Sequence, residues 1–334
     1  MKKILSLSAV LFLSIQLITA QNSVRKVIID TDTAGDDCMA IMMAAKSKDV
    51  KILGITVAAG NVSIEQGMNN ALMTLEVAGV DVPVYPGAKT SLDGIDRPCF
   101  CVYGEDGMGD LDLIHPKAKP QTKSAVDFII ETVNANPGEI ELICLAPVTN
   151  IAKVYQKSPE TLKKIKRIWV MGTAGFGEGN ATPVAEFNTF TDAEALQILF
   201  NARVPMTIIG LNVCNVYFSP SELKKMEKGS PALSFTAKSC YGLLKFNREY
   251  NNLDAVDLAD QIAMSCFLWK DYVKSSVMCN ATCITDNTEA HGLVIFYQQG
   301  KAYDTMPQKG EPFVEVIKET KSGETFKRIF NLLK

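Results

Sequence analysis

Short apolar segments of strand composition alternate with segments of helical composition along most of this chain. Strands are predicted at residues 27–30, 50–57, 140–145, 167–171 and 206–209. Helices are predicted at residues 37–45, 63–78, 122–134 and 192–201, and from about residue 149. Because such units are joined by right-handed crossovers, the pattern predicts an α/β fold with a mainly parallel central sheet covered by helices on both faces. We expect a single domain over residues 24–334, in which the more helical region 220–274 forms a cap.

The N-terminus has the composition of an export signal. Lys2 and Lys3 precede an apolar run from Ile4 to Ile18, and small residues follow around Ala20. These features are typical of a secretory signal peptide, which we place at residues 1–20. The sequence therefore predicts a secreted or periplasmic bacterial protein with no membrane association after cleavage, since no later segment resembles a membrane span.

The charge balance argues against one broad class of function. The chain has 34 Lys and Arg residues against 37 Asp and Glu residues, a formal net charge of -3 and no basic run. A dedicated nucleic-acid binder normally carries a basic patch. We therefore expect no nucleic-acid partner.

Nine cysteines raise the question of disulfides in an exported protein. The count is odd, and several cysteines sit in apolar runs, as Cys144 does. Buried free thiols are therefore the preferred interpretation. The close pairs are Cys99 with Cys101 and Cys279 with Cys283. With two histidines in the chain, no Cys/His cluster has zinc spacing.

An acidic cluster follows the first predicted strand. Asp30, Asp32, Asp36 and Asp37 lie within eight residues, where a parallel sheet binds its ligands. Like charges held together repel one another unless a cation neutralises them. Gly35 is expected to allow a tight turn that brings the later aspartates back toward the first ones. The alternative is a solvated acidic turn that caps a helix.

Two other interpretations of this cluster fit less well. A calcium-binding EF-hand loop needs an oxygen ligand at its fifth position and Glu at its twelfth, where this chain has Ala34 and Ile41. A haloacid-dehalogenase-like phosphatase would use Asp30 as nucleophile and Asp32 as acid/base, but such enzymes carry Thr or Val where Ala34 stands. The phosphatase remains a weak alternative.

Several motifs in the same order along the chain resemble those of the inosine–uridine-type nucleoside hydrolases. The first is Asp30–Asp37, which resembles the family's Asp-Thr/Cys-Asp-Pro-Gly-x-Asp-Asp signature with the glycine shifted by one position. The most specific is Gly179–Asn188, which is similar to the substrate-binding segment almost letter for letter. The remaining matches are Thr56–Asn61, Tyr103–Gly109, Leu145–Asn150, Gly210–Val213 and Asp260. Together they cover nearly the whole mature chain.

The resemblance implies a Rossmann-like nucleoside hydrolase fold and a Ca²⁺ ion. The ion would be held by the carboxylates of Asp32, Asp37 and Asp260 and by the backbone carbonyl of Leu145. These are all oxygen donors, as a hard cation requires. The implied reaction is hydrolysis of the N-glycosidic bond of ribonucleosides to ribose and free base. Asp32 is expected to be the general base that activates a calcium-bound water.

The resemblance also implies which residues bind the sugar. Asn61, Asn180, Glu186 and Asn188 would bind the ribose hydroxyls, since amides and a carboxylate can pair with a polyol. Asp36 would orient the sugar or support the metal. By analogy with relatives, a homo-oligomer, dimer or tetramer, is expected.

The chain departs from the family at the groups that help the base to leave. Many relatives have His before the last calcium-binding Asp and in the loop motif, whereas this chain has Ala259 and Tyr103. Tyr103, Tyr241, Tyr250 and Trp269 stay open as replacements, as does the identity of the base. The alternative function is an exported nucleoside- or sugar-binding protein that retains the metal site without turnover.

Overall fold

The structure, a computed structural model, describes residues 24–95, 97, 99–298 and 310–334. The signal peptide predicted at residues 1–20 lies outside the described residues. Within the described part of the chain, no helix is both long and apolar enough to cross a membrane.

A nine-stranded sheet runs through the molecule. The strands of the described residues are β1 (Arg25–Thr31), β2 (Val50–Val57), β3 (Val84–Pro86), β4 (Ile140–Cys144), β5 (Arg167–Met171), β6 (Met206–Ile209), β7 (Tyr217–Phe218), β8 (Val256–Asp257), β9 (Val273–Cys283), β10 (Val294–Gln298) and β11 (Val314–Thr320). β7 and β8 form a separate two-stranded sheet, and the other nine strands form the large sheet. The order in the large sheet is β10-β9-β11-β6-β5-β4-β1-β2-β3. All neighbours from β11 to β3 pair in parallel, and β9 pairs antiparallel with β11 and β10. The predicted mainly parallel sheet is confirmed, with an antiparallel edge that the sequence patterns did not indicate.

Helices connect the parallel strands, as predicted. The helices of the described residues are α1 (Gly35–Lys46), α2 (Ile64–Ala78), α3 (Phe100–Tyr103), α4 (Ala125–Ala135), α5 (Thr149–Lys157), α6 (Pro159–Leu162), α7 (Phe187–Thr191), α8 (Ala193–Ala202), α9 (Pro220–Glu227), α10 (Pro231–Ser239), α11 (Tyr241–Tyr250), α12 (Asp260–Leu268) and α13 (Thr325–Leu333). At the start of α2 the Ser63 hydroxyl accepts the N–H of Gln66 at 3.3 Å. This is the helix start that the sequence indicates there.

The sheet is buried on both faces, which explains the continuous apolar runs of its strands. On β1, Ile28 belongs to the core that α4, α5 and α8 cover, whereas Val27 and Ile29 belong to the core beneath α1, α2, α10 and α12. Side chains alternate between the two faces of a strand, so one short strand contributes to both cores. In the helical region predicted as a cap, α10 and α12 pack against α1.

The register of the sheet brings the carboxyl ends of the central strands level with one another. Asp30 at the end of β1 lies opposite Thr56 of β2 and Cys144 of β4. The segments that follow these strands therefore leave the sheet side by side. A parallel sheet binds its ligands at this edge.

Candidate functional site

Four aspartates from three segments meet at the carboxyl end of β1. Asp32 follows the strand, Asp36 and Asp37 lie in the first turn of α1, and Asp260 is the first residue of α12. All four are at most 7% exposed. One carboxylate oxygen from each of Asp36, Asp37 and Asp260 lies within 4.8 Å of the other two. The structure therefore brings Asp260 to the cluster by packing α12 against α1, although more than two hundred residues separate it from the others.

Hydrogen bonds hold these carboxylates but leave two of their oxygens unused. Asp37 accepts the hydroxyl of Thr31 at 2.5 Å and a backbone N–H of the turn at 2.9 Å. Asp32 accepts the backbone N–H of Asn61 at 2.6 Å through Oδ2. Oδ1 of Asp32 and Oδ1 of Asp36 are buried and have no hydrogen-bond partner among the described residues. Because buried polar atoms are normally paired, these two oxygens are suited to a ligand.

The cluster concentrates negative charge away from water. Burial, and then the charge of Asp37, raises the pKa of Asp32 well above its usual range, and the same causes raise the pKa of Asp36 to about 8. Burial, and then the charge of Asp37, also raises the pKa of Asp260 well above its usual range. No lysine or arginine of the described residues forms an ion pair with any of the four. A cation with a preference for oxygen ligands would stabilise all four carboxylates in their charged form.

Gly35 serves the cluster for a different reason from the one expected. The described residues whose backbone lies in the left-handed region do not include Gly35. The backbone conformation of the turn therefore does not require glycine at this position. A Cβ at this position would instead collide with the backbone carbonyl of Ser239 at the end of α10. Gly35 therefore allows α10 to approach the start of α1, which carries Asp36 and Asp37.

A second set of polar groups lies in the segments that follow β4 and β5. Asn188 donates from Nδ2 to the backbone carbonyl of Leu145 at 2.7 Å, so the predicted carbonyl ligand and a predicted sugar-binding amide are in contact. Glu186 caps α7 by accepting the backbone N–H groups of Asn188 at 2.8 Å and of Thr189 and Thr173 at 3.0 Å. Three N–H donors hold this buried carboxylate in one orientation.

The two remaining predicted sugar-binding residues differ in position. Asn61 is buried, and its backbone N–H holds Asp32 while its side-chain Nδ2 lies 3.5 Å from Oδ2 of Asp37. Asn180 is exposed, and its Oδ1 accepts the backbone N–H of Phe187 at 2.9 Å. Asn61 is thus part of the acidic cluster, whereas Asn180 bridges the loop before α7 to the start of that helix.

One of the four open aromatic candidates contacts the cluster. The hydroxyl of Tyr103 is buried and hydrogen-bonds the carboxyl of Asp36. The hydroxyl of Tyr241 instead donates to Glu227 at 3.0 Å, and Tyr250 is 70% exposed. Trp269 ends α12 and packs near Tyr272. Tyr103 is therefore the aromatic residue that the structure places in the site.

Asp30 has a structural role that its sequence pattern did not predict. Its Oδ1 accepts the hydroxyl of Thr56 at 2.5 Å and the amide of Asn150 at 2.8 Å, and its backbone carbonyl accepts the N–H of Leu145 at 2.8 Å. Burial raises the pKa of Asp30 to about 7. Asp30 thus ties β1 to β2 and to the start of α5, and it positions the Leu145 peptide. The polar Asn150, a few residues after an apolar strand and at the start of a helix, was the available sequence signal.

Comparisons with known proteins agree on one family. A sequence model described as inosine-uridine preferring nucleoside hydrolase matches residues 27–327. Uridine nucleosidase 1 of Arabidopsis thaliana is 40% identical over 190 residues, which are 56% of this chain and 56% of that protein. The matched part therefore spans just over half of that relative. The pyrimidine-specific ribonucleoside hydrolase RihB of Escherichia coli is 34% identical over 257 residues, which are 76% of this chain and 82% of that protein.

A solved structure gives the same result for the fold. A plant nucleoside hydrolase superposes with a TM-score of 0.88 at 30% sequence identity, and the superposition covers 93% of this chain and 99% of that chain. The agreement extends over nearly the whole of both molecules.

Proposed function

Because this chain belongs to the inosine-uridine preferring nucleoside hydrolase family, we propose that it cleaves pyrimidine ribonucleosides with the help of a calcium ion and with Asp32 as general base. The chain is a hydrolase that acts on the N-glycosyl bonds of ribonucleosides. The proposal adds three points to this activity: the identity of the metal, the residue that acts as general base, and the preferred nucleoside. One observation supports them above all: a buried acidic cluster without a cationic partner among the described residues follows β1, and Asn188 contacts the Leu145 carbonyl at the end of the neighbouring strand β4.

The donor set fits a calcium ion. The carboxylates of Asp32, Asp37 and Asp260 and the backbone carbonyl of Leu145 would hold it, and all of these groups are oxygen donors. The unpartnered Oδ1 of Asp32 and the close approach of the carboxylates of Asp36, Asp37 and Asp260 both indicate that the cluster lacks positive charge on its own. When bound, calcium supplies charge that lowers the pKa of a water molecule and orients the sugar.

The fixed orientation of the Asp32 carboxylate supports its proposed role as the general base that accepts the proton of the attacking water. Its Oδ2 is fixed by the N–H of Asn61, and a Cβ at Gly60 would collide with the same carboxylate, so the side chain has little room to rotate. Its Oδ1 has no partner within the protein and is the atom that takes the proton. A general base held in one orientation contributes about 10²- to 10⁴-fold to a rate.

The remaining polar residues bind the ribose and stabilise its positive charge. Glycosidic cleavage passes through an oxocarbenium-like transition state, which the neighbouring carboxylates stabilise electrostatically. Glu186, with its carboxylate fixed by three N–H groups, and Asn188 present acceptors and donors to the sugar hydroxyls. Asp36, whose Oδ1 has no hydrogen-bond partner among the described residues, would orient the sugar as well.

We predict a preference for uridine. The relatives above are named for uridine and for pyrimidine ribonucleosides. Ribose released from uridine, cytidine, inosine, adenosine and guanosine measures the preference. We expect kcat/KM for uridine to exceed that for each purine nucleoside by about tenfold or more, or about 1.4 kcal/mol. Equal values for inosine and uridine would overturn this part of the proposal.

Replacing Tyr103 by phenylalanine is expected to lower kcat/KM for uridine by about tenfold to a hundredfold. The change leaves the buried Asp36 without its hydroxyl partner, and an unsatisfied buried acceptor costs about 1–3 kcal/mol. Steady-state kinetics measure the effect. Tyr241→Phe is the matched control, since it removes a hydroxyl that bonds Glu227 instead. Equal kinetics in the two variants would show that the Tyr103 hydroxyl has no part in the site.

A further inference from the structure

We infer that Cys99 and Cys101 are a redox-active thiol pair, and that their closure into a disulfide changes the binding of the nucleoside. The effect on binding rests on the proposed function, whereas formation of the disulfide does not. The pair lies at the start of α3, where Cys99 precedes the helix and Cys101 is its second residue. It is one of the two close cysteine pairs of the sequence.

Exposure separates this pair from the other cysteines. All nine cysteines are free thiols, and seven of them are buried. Cys101 is exposed and Cys99 is half-buried, and their Sγ atoms are 3.9 Å apart. A disulfide bond is about 2.05 Å long, so closure needs a relative movement of the two sulfurs of roughly 1.9 Å. Side-chain rotation and a small adjustment of this short segment supply a movement of that size.

The second close pair in the sequence cannot react in this way. Cys279 and Cys283 are four residues apart on β9, and a strand rises about 3.3 Å per residue, so their Cα atoms are about 13 Å apart. Disulfides require Cα atoms within about 7 Å. Both thiols are also buried. The redox chemistry is therefore specific to Cys99 and Cys101.

Both ends of the pair are connected to the acidic cluster. The backbone N–H of Cys99 donates to the carbonyl of Asn61 at 3.2 Å, and the N–H of Asn61 holds Asp32. On the other side, Cys101 lies two residues before Tyr103, whose hydroxyl bonds Asp36. A ring closed between residues 99 and 101 restricts the peptide that joins these two contacts. Closure therefore shifts groups that touch Asp32 and Asp36.

The oxidant is a small-molecule disulfide or the disulfide of an oxidoreductase. The exposed Cys101 attacks one sulfur of that disulfide as a thiolate and releases the first thiol. Cys99 then attacks the Cys101 sulfur of the mixed disulfide and releases the second thiol. The protein pair loses two electrons and two protons, and one external disulfide becomes two thiols. Burial raises the pKa of Cys99 to about 12, in keeping with Cys101 as the first to react. The export that we propose for this protein would bring it into an oxidising compartment.

The test compares the calcium-loaded protein after reduction with dithiothreitol and after oxidation with oxidised glutathione, each with the reagent removed. We expect oxidation to remove two thiols that react in the native protein, and peptide mapping to find the 99–101 disulfide. We expect KM for uridine and Kd for calcium each to change by about threefold to tenfold. Renewed reduction should restore all values. Cys101→Ser should form no such disulfide and show no threefold change, and the double variant Cys99→Ser with Cys101→Ser should behave alike in both buffers.

The outcomes separate the two proposals. If the reduced protein hydrolyses no nucleoside, the proposed function fails, and the peptide map and calcium affinity still judge the thiol pair. Absence of the 99–101 disulfide after oxidation overturns the inference. A disulfide that forms and leaves both KM and calcium affinity unchanged also overturns it.

Discussion

Replacing Asp32 by asparagine is expected to lower kcat for uridine hydrolysis by about 10²- to 10⁴-fold, the contribution of a positioned general base. Asparagine has nearly the same shape and can still accept the N–H of Asn61 through its amide oxygen. It cannot take a proton from water, because an amide is not basic near neutral pH. The loss should therefore fall on kcat, which steady-state kinetics with saturating calcium and uridine measure.

The matched control for this variant is Asp49→Asn, which makes the same chemical change at an exposed position after α1. It should keep wild-type kinetics. The melting temperature and the circular dichroism spectrum of Asp32→Asn should show a folded protein. A folded Asp32→Asn protein with a kcat within a few-fold of wild type would assign the general base elsewhere.

Removing calcium with a chelator is expected to make the protein less stable as the pH rises from about 5 to about 8. The pKa of Asp30 is raised to about 7 and that of Asp36 to about 8, whereas unfolded aspartates titrate near 4. Between these values the folded state holds protons that the unfolded state has released. Stability is therefore lost as the pH rises, by about 1.4 kcal/mol per pH unit for each proton retained.

Calcium should reverse this loss, since it neutralises the charges that the cluster otherwise avoids by holding protons. At a hundred times its Kd a ligand adds about 2.7 kcal/mol of stability. Melting temperatures at pH 5 and pH 8, each with chelator and with calcium, measure both effects. Asp260→Asn removes one carboxylate and should weaken calcium binding and flatten the pH dependence in chelator. Identical melting temperatures with and without calcium at pH 8 would contradict the assignment of the cluster as a cation site.

Local patterns were sufficient for the central part of the fold. The strands predicted at 50–57, 167–171 and 206–209 match β2, β5 and β6 because continuous apolar runs rich in β-branched residues indicate a strand buried on both faces. The antiparallel edge was not predicted. β9 is a strand with several polar side chains and with exposed or half-buried residues at most of its positions, so its pairing depends on neighbours that are distant in the sequence.

The site shows the same division between local and tertiary information. The spacing of Asp32, Asp36 and Asp37 after an apolar strand predicts a site at these residues. Asp260 has no local signal, since an acidic residue at the start of a helix is common, and it joins the cluster through the packing of α12 on α1. The need for Gly35 likewise arises from α10, two hundred residues later in the chain.

The most direct test of the central claim is the release of ribose from uridine by the mature protein, stripped of metal and then reloaded with calcium. The account predicts ribose formation by the reloaded protein, none above background by the stripped protein, and recovery after a second addition of calcium. Uridine that stays intact in the presence of bound calcium would contradict it, as would an equal rate in the stripped protein.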